Sequence, residues 1–448
     1  MELINLLNGV EIALQGPTFE IALNWIGKLI RMLITGVGIV GVGIILFSLI
    51  LKVIVLPFDV YQRITMRKQN QKMKENQERM EKLQKQYANN KELYNQKVME
   101  MYKESGFSVF SSCLPLILSM VIFIVAINAF NAYAQYANVE NYNMMVDAYN
   151  KSITQTAPTL DSQTLEITAD GDIIYVKDTA EDKYIYYTVA GKEGYDNTTY
   201  IQNAEKTYYI DQDKALANAE IKAFYDSKVA EGVDSDVALR SYFYGQAQSA
   251  VKVEYEKNVN QKTKFLWIKN IWATDASYKH PVLDYSAFSA EIAREKFLVE
   301  GKKVALAELN TGVYGADAYN HITEKLDVQK KQANGYFVLI VLSIGTILLQ
   351  QFVTMRSQKE QQKYSSVDGQ GASQQKMMLI MMTVMFGVFS FMYSAAFSIY
   401  MIMSNVLSLI STIVINFFVD RNKAKKEQAQ EAYKLSGRAS RTAGIKKK

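Results

Sequence analysis

The chain has 448 residues, of which 49% are hydrophobic and 21% charged, and its net charge is only +5. A single Cys excludes an intrachain disulfide framework or a multi-cysteine metal site, and two His argue against a histidine-built zinc site. The mean hydropathy of −0.08 suits an ordinary soluble protein, but such a mean hides segregation along the chain, so hydropathy is read locally.

Residues 1–31 carry Glu2 and Glu11 before any basic residue and lack a lipoprotein cysteine, which argues against a signal peptide. Within them, FEIALNWIGKLI (19–30) reads as an amphipathic helix on a membrane surface, anchored by Trp25, or as the start of a long first span. A transmembrane helix needs about 20 apolar residues. Met32 to Leu51 has no charge, and after Lys52 the chain stays apolar to Phe58, so 32–58 is the first span. Glycines 36, 38, 41 and 43 predict a loosened helix segment that another helix approaches closely.

Residues 59–108 predict a cytoplasmic antiparallel helical hairpin. Met66, Met73, Met80 and Tyr87 recur every seven residues, Asn89-Asn90 supplies a turn, and Leu93, Tyr94, Val98, Met101 and Tyr102 return at helical spacing. A Met seam is adaptable and suits contact with varied apolar segments; the plainer reading is that it only packs the hairpin. The second span is 109–133.

Residues 134–335 form a long loop with its own fold. LEIT, IIYV and YIYYTV around Asp170-Gly171 predict a β-meander, and 211–230, 234–259, 285–309 and 318–332 read as helices. This is an α+β insertion with 19 Tyr, which serve either a partner surface or packing. Asn197-Thr198-Thr199 fits a glycosylation sequon, relevant only in a eukaryotic secretory pathway. The third span is 336–355, followed by a short loop, 356–376. Met377 to Val419 runs 43 residues without charge, enough for a fourth span (377–393) and a fifth (398–419) around a tight turn at Tyr393 to Ala396. The tail, 420–448, is basic; it can attract ribosomal RNA or anionic lipid, or simply fix topology.

The fold class is therefore a polytopic α-helical membrane protein with five spans. The segments 59–108, 356–376 and 420–448 together hold 25 basic and 12 acidic residues, whereas 134–335 holds 22 and 30. Positive charge stays inside, so the N-terminus and the long loop face outward and the C-terminus faces the cytoplasm. No Walker A loop, GxSxG, HExxH or CxxC occurs, and neither an enzyme, a cofactor nor a metal is expected.

Lys52 stands alone between apolar flanks, FSLIL and VIVLPF. Such a charge costs about 2.5–3.5 kcal/mol at a span centre. It lies roughly 9 Å before Phe58 along a helix. It either snorkels to the inner headgroups or lines a wet cavity, where it attracts an acidic residue of a passing segment. Ser119, Gln350, Gln351, Ser404, Asn405, Ser408 and Asn416 are polar residues on the other spans that suit such a groove or merely bridge helices.

On these residues the chain resembles the YidC-type membrane protein insertases. KVIVLP (52–57) is similar to the end of that family's first core helix, where a basic residue, typically Arg, sits five before a Pro. Residues 72–105, with Met101-Tyr102-Lys103, resemble its cytoplasmic hairpin. CLP (113–115), FLWIK (265–269) and SIYMIMSNVLS (398–408) resemble the starts or bodies of later elements. The resemblance covers about 30–133 and 262–420. It departs at Lys52 (usually Arg), at Ser119 (often Gln), and at Asn76, Val109, Val121 and Thr383, where family prolines are absent, so straighter helices are expected. The resemblance implies a five-helix insertase core from a single-membrane bacterium. It implies insertion and chaperoning of nascent membrane proteins through a hydrophilic groove, alone or with the Sec translocon, in contact with lipid and the ribosome. A membrane-anchored receptor or adhesin, a solute transporter and a client-specialised insertase paralogue are the alternatives.

Overall fold

The computed structural model describes residues 9–104, 109–158, 165–170, 173–178, 183–188, 206–309, 311–357 and 370–445. In chain order the elements begin with β1 (Gly9–Ala13), β2 (Glu20–Ile21), α1 (Trp25–Val37) and α2 (Val40–Glu75). Then come α3 (Gln77–Gln86), α4 (Lys91–Glu104) and α5 (Val109–Thr156). Next are β3 (Leu165–Asp170), β4 (Ile173–Asp178), β5 (Lys183–Thr188) and β6 (Lys206–Asp211). Helices α6 (Gln212–Leu216), α7 (Ala219–Ala230), α8 (Ser235–Glu254) and α9 (Asn260–Thr263) follow, with a π-helical turn at Tyr255–Val259. The chain continues with α10 (Tyr285–Ile292), β7 (Lys296–Val299), β8 (Lys302–Ala305), α11 (Ala316–Ile322) and α12 (Asp327–Lys331). It ends with α13 (Val338–Ser357), α14 (Gln370–Met392) and α15 (Ala395–Ile445).

Two compact units result: a mixed unit of Met1–Gly27, Ala132–Ala273 and Ser277–Gly335, and a helical unit of Lys28–Asn131, Thr274–Ala276 and Tyr336–Lys448.

In the mixed unit, one antiparallel sheet has the order β1-β6-β3-β4-β5 and a second the order β2-β7-β8. The expected meander is β3-β4-β5. β1 pairs with β6 from Gly9↔Asp211 to Ala13↔Thr207 and buries Val10 and Ile12. The structure thus gives the N-terminal segment an ordered place as strand, where no strand was expected. A short strand has a weak local signal, and its pairing partner lies about 200 residues away, so only tertiary contact selects it. The helix expected over 285–309 ends at Ile292, and β7 and β8 follow as a hairpin. Glu300-Gly301 makes that turn with positive φ at both residues, the requirement of a type I′ hairpin loop.

The core of the mixed unit is built on helix-borne tyrosines. Tyr142 packs against Phe288 and Tyr319 at ring distances of 5.0 and 4.9 Å, and its hydroxyl donates to the Val313 carbonyl at 2.7 Å. Tyr149 meets His321 Nε2 at 2.8 Å. Packing is the role the structure gives these rings. The sequon at Asn197 lies outside the described residues.

The helical unit contains three helices, among the described residues, long and apolar enough to cross a membrane: Val40–Gln62, Val338–Arg356 and Ala395–Phe418. The other two expected spans fall on α5 and α14. The turn between the last two helices, at Tyr393-Ser394, is where the sequence places it. Two expected boundaries move. Helix α2 does not stop at Phe58 but runs to Glu75, and α15 runs past Val419 to Ile445. Passing from apolar to polar sequence changes the solvent a helix wants, and residues such as Lys, Gln, Glu and Met keep the backbone helical.

The N-terminal helix is neither a 19–30 helix nor the start of a single long span. α1 begins at Trp25 and ends at Gly38, whose φ of +77° a glycine accepts without strain. Gly43 then lies against Ile34: a Cβ there would stand 3.0 Å from the Ile34 Cα. At Gly36, by contrast, a Cβ would meet nothing within 4 Å.

Asp275 anchors the start of α13. It is fully buried, its carboxylate accepts from the Tyr336 and Leu339 amides at 2.7 and 2.6 Å, and its carbonyl accepts from the Phe337 amide. Those amides have no partner within their own helix, and the cap holds Phe337 at a φ of +66°.

Candidate functional site

Helix α2 buries one stripe and exposes the opposite face. Ile44, Phe47 and Ser48 are buried, and Lys52, Val55 and Asp59 continue the stripe half-buried at spacings of three and four. On the opposite face Leu49, Val53, Ile54, Leu56 and Phe58 are exposed. Helices α13, α14 and α15 repeat this inversion. Ile380, Val384, Phe352 and Phe417 are exposed, whereas Ser343, Ser390 and Ser398 are fully buried. Exposed apolar faces around buried hydroxyls fit a solvent of lipid rather than water.

Several polar groups, buried or half-buried, form bridges between helices. Ser343 on α13 and Ser390 on α14 share a hydrogen bond of 2.8 Å. Thr383 on α14 donates to Gln351 Oε1 at 2.8 Å. Asn405 on α15 donates to Thr346 on α13 at 3.4 Å. Lys52 on α2 donates to Ser408 on α15 at 3.0 Å. Ser398, Asn405, Ser408 and Thr412 lie along one face of α15 at spacings of seven, three and four. Nearer the start of α15 is an aromatic cluster, with Phe130 against Phe47 at 5.5 Å and against Tyr400 at 5.3 Å, and Tyr393 against Phe397 at 5.3 Å.

Lys52 is the charge in this set, and it is partnered. Its ammonium lies 2.5 Å from Asp59 Oδ2, and the side chains retain 14% and 25% of their exposure. Asp59 is seven residues on, two helical turns. The lysine therefore bends toward the C-terminal end of α2, the direction expected of snorkelling, yet it is held by protein groups. The sequence contains Asp59, but as the first charge beyond the apolar run it reads as the start of the cytoplasmic hairpin segment, 59–108; its distance of two helical turns from Lys52 was the usable signal. Thr346 and Thr383 were missed because a lone Thr in an apolar helix carries no signal by itself.

The remaining expected residues separate. Gln351, Asn405 and Ser408 join the network, Ser404 bonds the Tyr400 hydroxyl one turn away, and Gln350 is half-buried on α13. The side chain of Ser119 lies outside the described residues, as do those of Met66, Met73 and Tyr102. Met66 and Met73 belong to α2 and not to the hairpin, whose helices are α3 and α4. Met80 and Met101 are buried and pack that hairpin, while Tyr87 ends α3 half-buried. Asn90 caps α4, accepting from the Leu93 amide at 3.1 Å. Asn76, where a family proline is absent, still interrupts the helix, between α2 and α3.

A family model described as the 60 kDa inner membrane protein matches residues 32–169 and 249–423. This chain belongs to that family. Its relatives include the membrane protein insertase YidC of Clostridium perfringens, 40% identical over 77 residues, 17% of this chain and 31% of the relative. That of Caldanaerobacter subterraneus is 30% identical over 98 residues, 22% and 46% of the two chains. That of Fusobacterium nucleatum is 35% identical over 75 residues, 17% and 35%. The matched stretches thus span less than half of each relative. No solved structure matches. The family match takes in α2, α13, α15 as far as residue 423 and the described bridges among them, and passes over 170–248, which holds β4 to β6 and much of α8.

Proposed function

We propose that this chain is a membrane protein insertase that admits nascent membrane segments through a hydrophilic groove lined by Lys52, Ser408, Asn405, Gln351 and Thr383. The observation that carries the reading is the inversion of α2, α13 and α15: a hydroxyl-rich interior that holds the Lys52–Asp59 pair within helices that expose apolar side chains. The name of the relatives, membrane protein insertase, supports it.

In this reading five helices form the core, with α5 and α14 supplying the second and fourth spans. The hairpin α3-α4, the loop 356–376 and the basic tail face the cytoplasm; the N-terminus and the α+β insertion face outward. A client's apolar segment partitions into lipid, releasing about 0.8 kcal/mol per buried CH₂. The client's polar flank is the barrier, because each unsatisfied backbone group in hydrocarbon costs several kcal/mol. Hydroxyls, amides and Lys52 replace part of the water that the flank gives up. Neither a nucleotide nor a metal takes part. The basic tail supplies a contact for the ribosome or anionic lipid, and the core works alone or beside the Sec translocon.

The test is site-specific crosslinking from positions beside Lys52 and Asn405 to ribosome-bound nascent membrane segments. Crosslinks that depend on the client's apolar segment are expected. Absence of crosslinks while a control insertase crosslinks overturns the reading, and so does full insertion by Lys52→Ala at normal protein levels.

A further inference from the structure

Lys52 does not wait in the groove as an open cation. The structure assigns to Asp59 the role of a built-in competitor for Lys52, occupying the place that an acidic residue of a client flank would take. This deepens the insertase reading and rests on it.

Three observations place the carboxylate there. Asp59 Oδ2 is 2.5 Å from the Lys52 ammonium. Both side chains lie on the inward stripe of α2, at the sequence spacing of two turns that brings a long lysine within reach of a short acid. The second partner of the ammonium is neutral, the Ser408 hydroxyl at 3.0 Å. The ammonium has three protons to donate, and two of these bonds are accounted for by one anion and one hydroxyl. The local charge of the pair is zero. An acidic flank gains Lys52 only by displacing Asp59 and leaving a second carboxylate in the same confined space, where like charges oppose one another. A neutral polar flank meets hydroxyls and amides without that exchange. Asp59 is thus a specificity-determining residue: it sets how strongly the groove discriminates between neutral and acidic client flanks.

The experiment uses the full chain reconstituted in proteoliposomes and one model client whose translocated flank carries zero, one or two Asp. Insertion is read by protease protection, and flank contact by crosslinking from a position beside Lys52. Asp59→Asn is expected to raise the acidic-to-neutral insertion ratio about fivefold, since freeing a site that is open only a fraction of the time raises apparent affinity by the inverse of that fraction. In the double variant Lys52→Gln, Asp59→Asn that rise is expected to disappear. The swapped pair Lys52→Asp, Asp59→Lys keeps the ion pair and guards against misfolding of the single variant; it is expected to stay near the wild-type ratio. An unchanged ratio in Asp59→Asn, or an equal rise in the double variant, overturns the proposal while insertion itself continues. Loss of insertion of every client by the wild-type chain instead overturns the insertase reading.

Discussion

The two units of this molecule use opposite rules for the same side chains. The mixed unit hides tyrosines and phenylalanines and turns Lys222, Asp226, Lys228 and Glu231 outward in exposed ion pairs. The helical unit exposes valine, isoleucine and phenylalanine and hides serine, threonine and a Lys–Asp pair. In water the apolar side chain is driven inward; in lipid it has no reason to leave the surface, so packing and hydrogen bonds must hold the helices together. Burial read alone would mistake one unit for a misfolded version of the other.

The sharpest test of that contrast deletes an aromatic ring from each core. Tyr142→Ala in the mixed unit is expected to cost about 3–5 kcal/mol, by unfolding followed with hydrogen exchange. Phe130→Ala in the helical unit is expected to cost about half as much, because the separated helices keep their apolar surface in lipid. Equal losses would mean that the helical unit is stabilised like a water-soluble core.

A charge placed on each exposed surface breaks the comparison the other way. Ile54 is 60% exposed and Val237 45%. Ile54→Asp is expected to cost about 3 kcal/mol and reduce membrane integration of α2, measured by carbonate extraction. Val237→Asp on α8 is expected to stay within about 0.5 kcal/mol. Near-neutral behaviour of both would remove the lipid-facing assignment of α2.

Asp275→Ala removes the cap of α13 and leaves buried amides without acceptors; a loss of about 2 kcal/mol is expected, with early exchange of the Tyr336 and Leu339 amides. Asp275→Asn should recover part of this, since its oxygen still accepts.

The smallest effect concerns pH. Burial raises Glu291 from 4.5 to about 7, opposed by the Asn138 hydrogen bond and the charge of Lys279. The folded mixed unit favours the neutral acid. Its contribution is fully present below about pH 4.5, is lost as pH rises to about 7, and is constant above that. Glu291→Gln is expected to flatten that slope and to raise the unfolding midpoint above pH 7, measured by a pH series of thermal melts; an unchanged slope assigns it to other groups.

Much of the helical unit was legible in the sequence. The apolar runs located α2, α13 and α15, and Tyr393-Ser394 marked the turn, because transfer into lipid is a sum of local terms that a window along the chain captures. Asn90 capped a helix where Asn89-Asn90 suggested a turn. The site was half legible. Lys52, Gln351, Asn405 and Ser408 are conspicuous as polar residues in apolar runs, whereas Asp59 was hidden by its position just past one, and Thr346 and Thr383 by their ordinariness. The seven-residue Met spacing continues across the α2–α3 break at Asn76, which places Met66 and Met73 on α2 and Met80 on α3.

The sequence by itself therefore determined where the chain enters apolar surroundings and which residue types are out of place there. Each of those is set by neighbours a few residues away. Only the tertiary structure decided that β1 completes a sheet with β6, that Asp275 caps α13, and that Lys52 faces Ser408 across 356 residues of chain. Those pairings depend on which surfaces meet, and meeting is a property of the folded packing that no local window contains.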